Sequence, residues 1–282
     1  MFREFYIKRR FSKIESPYPE KKEAYKNYYD SKRIEVEIKP NEMLFIPAGW
    51  FHFVISETVD EISKLNAAVT FFTEYDGCID CIDTDETFTE WIRYSHEDTI
   101  NYDYYKEKSF PCIIHSSHTY NSGISIENLE NLYQNSNVVV TKSRSKLFIS
   151  NYIKEVYPDC CIEVPMKFQD FLNLGKNDKK NNYYLLQSSV NLKSLKIEKP
   201  EFLQKEKGKN YCVWLNFGDI YTGLHYDEYN NVLIQLQGTK KILLFPPSER
   251  KKLDLVNTTD PKILCQMKKE LFQQNEIFSE KK

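Results

Sequence analysis

Two groups of short strand-like runs, one near each end of the sequence, are each left without obvious ladder partners inside their own segment. In the front group Ile34-Glu-Val-Glu-Ile38 alternates apolar and charged residues, the period of two that marks a half-buried strand. Lys39-Pro-Asn41 turns the chain and Met43–Ile46 is a short apolar run. Pro47-Ala-Gly49 turns it again, and Trp50–Ile55 and Leu65–Phe72 read as two further strands. The back group comprises Tyr211–Phe217, Val232–Leu236 and Lys241–Phe245, with a turn at Gly238 and a stop at Pro246-Pro247. Backbone N–H and C=O groups must be paired when buried, so whatever covers one group bears on the other.

The intervening chain is mixed. Residues 1–33 read as an irregular or loosely helical lead-in, and 83–105, acidic and aromatic, as helix and loop. Phe110–Ile114, Asn137–Thr141 and Tyr183–Gln187 are further strand predictions, Ile126–Tyr133 and Met166–Leu172 helices, and 248–282 a charged helical addition. The 282 residues, with 41% hydrophobic and 28% charged, suffice for a full core and exclude a largely disordered chain. The 20 tyrosines and 18 phenylalanines suit strands. A net charge of -2 gives no global field to recruit nucleic acid. No apolar run reaches membrane-span length, and Met1–Glu15 has charges where a signal peptide is apolar, so no membrane and an intracellular setting, cytoplasmic or nuclear, are expected. Seven cysteines, an odd number, read as mostly reduced. Cys78-Ile-Asp-Cys81 with Cys160-Cys161 would make a zinc site of poor form, since adjacent cysteines pair badly as ligands.

The chemistry gathers around Gly223-Leu-His225-Tyr-Asp227-Glu-Tyr-Asn-Asn231. On a strand edge the H-x-D spacing puts both side chains on one face. Imidazole and carboxylate suit a divalent first-row metal, and two histidines with one carboxylate leave positions open at a non-haem Fe(II) centre. Taken alone an H-x-D pair is weak evidence.

From Tyr221 to Pro247, the stretch with Asn231, Gly238-Thr-Lys240 and Phe245-Pro-Pro247 closely resembles the JmjC and cupin-like Fe(II)- and 2-oxoglutarate-dependent oxygenases. The resemblance implies a mainly β fold with flanking helices, a double-stranded β-helix (jelly roll), holding Fe(II) and using 2-oxoglutarate and O2. By the same resemblance Lys240 pairs with the distal carboxylate of 2-oxoglutarate, Thr222 and Tyr184 reach that carboxylate, and Asn231 contacts the cosubstrate. The family's third ligand sits downstream of the pair, yet no histidine follows Pro247. Glu37-Ile-Lys-Pro-Asn-Glu-Met-Leu-Phe-Ile-Pro-Ala-Gly-Trp-Phe-His-Phe-Val54 matches that segment instead, making His52 the third ligand beside His225 and Asp227. Leu65–Phe72 then resembles the closing strand, where Asn66 or Thr70 faces the cosubstrate. Trp50, Tyr226 and Tyr229 are expected at the substrate mouth.

This order departs from the family's and implies a circular permutation within one domain spanning 1–282, with 34–72 carrying the distal-histidine half and 110–247 the H-x-D half. Two incomplete barrels in tandem, or exchange of halves in a homodimer, are the rival readings. The expected activity is hydroxylation of a protein or peptide side chain. A tRNA-base hydroxylase of the same family and an inactive binding scaffold are the alternatives.

Overall fold

The structure, a computed structural model, describes residues 10–58, 64–77, 92–120, 124–148, 161–188, 197–206 and 211–256. Its elements in chain order are α1 (Lys26–Tyr29), β1 (Ile34–Ile38), β2 (Glu42–Ile46), β3 (Phe51–Glu57), β4 (Leu65–Thr73), β5 (Arg93–His96), α2 (Tyr102–Lys108) and β6 (Cys112–His115). They continue with α3 (Ile126–Tyr133), β7 (Asn137–Ser143), β8 (Leu147–Phe148), β9 (Cys161–Lys167), α4 (Phe168–Asn177) and β10 (Asn182–Ser188). The last are β11 (Tyr211–Phe217), β12 (Ile220–His225), β13 (Asn230–Gln237) and β14 (Thr239–Phe245).

The front and back groups complete each other. One sheet runs β1-β14-β3-β12-β8 and the other β5-β6-β2-β13-β4-β11-β10-β7-β9. Thus β3 lies between β14 and β12, and β4 between β11 and β13. The inner faces meet through Ile34, Val36, Ile38, Ile242 and Leu244 from one sheet and Leu44, Ile46, Ala68 and Leu233 from the other. Two facing sheets of interleaved, mostly antiparallel strands are the jelly-roll arrangement expected above.

Alternation along each strand sorts side chains into layers. In β4 Leu65, Ala67, Val69 and Phe71 face outward, under the apolar sides of α3 (Leu129, Tyr133) and α4 (Phe168, Phe171, Leu172). In β3 and β14 Phe51, Phe53, Leu243 and Phe245 face the other way, covered by Ile14 and Tyr28 of the lead-in. Each such buried side chain stabilises by about 1.5–3 kcal/mol. A one-residue slip of β3 would forfeit several of these and turn His52 out of the interior.

Three expectations need correction. Within 83–105, Arg93–His96 is a strand pairing in parallel with β6, and helix begins only at Tyr102; tertiary pairing overrides the local helical composition, and 83–91 lie outside the described residues. The helix expected from Met166 starts at Phe168, because Met166 and Lys167 pair in β9 with β7. At the start of 248–282 there is a 3-10 turn, Pro247–Lys252, and 257–282 lie outside the described residues. Cys78, Cys81 and Cys160 are also outside them; Cys161 is buried on β9 with its thiol donating to the Leu147 carbonyl at 3.6 Å. Among the described residues no helix is long and apolar enough to cross a membrane.

Candidate metal centre

Three donor residues converge between the sheets. His52 is the second residue of β3, His225 the last of β12, and the two are cross-strand partners. Asp227 follows in the turn to β13. One donor atom from each of His52, His225 and Asp227 lies within 4.8 Å of the others, the one such group among the described residues. Their rings stand 4.4 Å apart at 54°, and His52 Nε2 is 3.8 Å from Asp227 Oδ2.

Each imidazole is oriented by its own backbone. His52 Nδ1 lies 3.0 Å from the Trp50 carbonyl and His225 Nδ1 2.7 Å from that of Gly223. A carbonyl only accepts, so the proton sits on Nδ1 in both rings and the Nε2 lone pairs are free to bind a cation. Burial, reinforced by repulsion from His52, pushes His225 down to about 4, so it is neutral at pH 7. Burial alone would raise the Asp227 carboxyl, but His225, His52 and the Asn231 hydrogen bond outweigh it and hold the group below the usual carboxylate value. Neutral imidazole beside ionised carboxylate is the protonation state a divalent metal requires.

Behind the triad the same cavity is lined by Tyr184, Thr222 and Lys240, with Thr70 and Asn231 at its sides and Val54, Phe72, Trp214 and Leu233 as apolar walls. Lys240, only 1% exposed, donates to Ser56 Oγ at 2.6 Å. Burial pushes its ammonium down to about 7. No carboxylate pairs with it among the described residues, so a buried lysine stands there without a counter-charge. The buried Tyr184 hydroxyl is hydrogen-bonded to the Thr222 side chain, and burial raises its phenol above the ordinary range. Thr70 Oγ1 accepts from Trp214 Nε1 at 2.8 Å. Asn231 donates through Nδ2 to Asp227 Oδ2 at 2.7 Å while its buried Oδ1 has no hydrogen-bond partner among the described residues.

Three expected positions, Asn66, Trp50 and Tyr226, turn out differently placed, while Tyr229 stays next to the cavity. Asn66 is outside the cavity lining: its Nδ2 donates to the Glu57 and Thr239 carbonyls and its Oδ1 accepts from Gln235, so its polar atoms tie strands together. Trp50 is core, 1% exposed, with its indole donating to the Ser109 carbonyl. Tyr226, between the two ligands in sequence, alternates to the opposite face and packs edge-on against Phe51. Tyr229 is 41% exposed and lies edge-on to the cavity residue Phe72, which leaves it beside the opening.

Sequence reading missed two contributors. Ser56 shares a face with His52 and Val54 by the period of two, a signal that was present. Phe11 was hidden in the lead-in: its ring stacks on His225 at 5.7 Å and 18°, and Ser12 N–H donates to the Leu224 carbonyl while Tyr226 N–H donates to that of Arg10.

Residues 5–76 and 101–278 match the cupin-like domain family. The chain belongs to that family. This cupin-like domain also shares 35% identity over 52 residues with a lysine-specific demethylase of Arabidopsis thaliana, a match spanning 18% of the chain and 10% of the relative.

Proposed function

We propose that this cupin-like domain is an Fe(II)- and 2-oxoglutarate-dependent dioxygenase that hydroxylates a side chain of a protein or peptide. The observation that carries the reading is the convergence of two Nε2 atoms and one carboxylate beside a buried lysine with no carboxylate partner among the described residues. His52, His225 and Asp227 would hold the iron, and Asn231 fixes the carboxylate oxygen of Asp227. Lys240, with Tyr184 and Thr222 beside it in the cavity, would bind the far carboxylate of 2-oxoglutarate. When bound with O2, iron and 2-oxoglutarate supply the oxidation, placing a hydroxyl on a C–H carbon as the cosubstrate leaves as succinate and CO2. The chain's own part is to orient these groups and to exclude water with Val54, Phe72, Trp214 and Leu233. A polypeptide substrate is favoured over tRNA by the net charge of -2 and by a relative whose name attaches it to lysine.

The strand order is read as a circular permutation, with 34–72 and 110–247 as the two halves of one barrel in a domain spanning 1–282. A site assembled from one chain supports this over exchange between chains. Anaerobic titration with Fe(II) and then 2-oxoglutarate tests the whole reading. The expected result is a weak visible charge-transfer band in the wild type that vanishes in His52→Ala. No band in the wild type would leave a binding scaffold; a band surviving in His52→Ala would remove that residue from the ligand set.

A further inference from the structure

The ligands arrive on two turns that are remote in sequence. Pro47–Trp50 delivers His52, and the turn from Tyr226 to Tyr229 carries Asp227. The β2–β13 ladder ends at the pair Asn231↔Ile46, just short of both. Beyond it Asn230 takes over. Its side chain, 2% exposed, accepts the Ala48 N–H at Oδ1 (3.0 Å) and donates through Nδ2 to the Glu74 carbonyl at the exit of β4 (3.3 Å). Next to it the Gly49 N–H donates to the Asp227 carbonyl at 2.9 Å, with Gly49 at φ 81, a backbone angle that favours glycine.

Consecutive residues of a strand point to opposite faces. At the start of β13 this divides two tasks: Asn231 holds the Asp227 carboxylate itself, while Asn230 holds the turn of the other histidine. We propose that Asn230 is a positioning residue of the metal centre, an amide clamp that fixes the His52 turn against the Asp227 turn and against the end of β4. The inference rests on the metal-centre reading above. Ligand spacing is set in tenths of an ångström for a bound metal, and these two ligands have no covalent connection shorter than the rest of the barrel. A buried amide with one donor and one acceptor spent on two separate segments adds a side-chain constraint to the Gly49–Asp227 backbone bond and extends it to the end of β4. Residues behind the ligands commonly change metal affinity by about 10- to 100-fold.

The test is titration of the metal-free full chain with Co(II), reading affinity and the visible ligand-field band, alongside thermal melting. Asn230→Ala should lose about 10- to 100-fold in Co(II) affinity and alter the band. Leu129→Ala, a cavity beneath α3 far from the centre, should lower the melting point and leave affinity and band unchanged. If Asn230→Ala does not fold, Asn230→Ser, which replaces the amide with one shorter polar group, should show the same loss. Wild-type affinity and band in a folded Asn230 variant would overturn the clamp alone. A wild type that does not bind Co(II), or that binds it unchanged in His52→Ala, would overturn the metal-centre reading and the clamp with it.

Discussion

Lys240 carries its ammonium into the interior against a hydroxyl, Ser56 Oγ. Burial lowers its proton affinity to about pH 7, while in the unfolded chain it titrates in the ordinary lysine range. Between those values the unfolded state holds more protons than the folded one, so this residue makes stability rise as pH increases above 7. The expected outcome is that the urea midpoint of ligand-free protein, taken as wild type minus Lys240→Met, rises from pH 7 to 8.5. Lys240→Met itself should be the more stable protein at pH 7, since an apolar chain of similar length replaces an uncompensated charge. A flat difference profile would assign the cation elsewhere. Lys240, His225 and Asp227 were legible because they sit in one unbroken motif. The face of Ser56 was legible from the period of two, but its bond to Lys240 was not, and neither was the role of Asn230, since each acts on a residue about 180 positions away in sequence.

Elements were legible in proportion to how cleanly they alternate. β1 reads apolar-charged throughout and its burial follows suit, with Ile34, Val36 and Ile38 buried and Glu35 and Glu37 exposed. β9 is the counterexample, for Cys161-Ile-Glu-Val-Pro-Met-Lys167 holds a proline. It is last in its sheet, where a proline need not break a ladder hydrogen bond. The turn joining β13 to β14 offers a sharp test. Gly238 has φ +75, and a Cβ there would lie 2.6 Å from Asn66 Nδ2 and 3.0 Å from the Glu57 carbonyl oxygen. Asn66 cannot retreat without dropping its bonds to Glu57 and Thr239. Gly238→Ala should therefore destabilise by about 1–3 kcal/mol in urea unfolding. A near-neutral result would show that the Asn66 crosslinks yield easily.

At the scale of the whole molecule, residues 10–13 and 253–256 run antiparallel to one another. Val256 N–H donates to the Phe11 carbonyl at 2.8 Å, Lys13 N–H to that of Asp254 at 2.9 Å, and Ser12 bridges Leu255. A short turn from Val256 into Arg10 would make this a hairpin. A chain rejoined there, with new ends between Gly77 and Ile92, should fold and bind Co(II) with wild-type affinity, measured by circular dichroism and titration; failure to fold would weigh against a permuted barrel. The two-sheet architecture was legible from the strand runs and the family likeness together, whereas the neighbours of each strand were not, because pairing across the chain leaves no local trace. That interleaving sets a timetable for synthesis. Among the described residues, every ladder partner of β1–β4 lies beyond residue 110, and those flanking β3 and β4 lie beyond residue 210. β2 can pair with β6 once residues 112–115 have emerged, but β1, β3 and β4 must wait unpaired until the chain beyond residue 210 has left the ribosome, which makes folding a late event and chaperone shelter an asset to the nascent polypeptide.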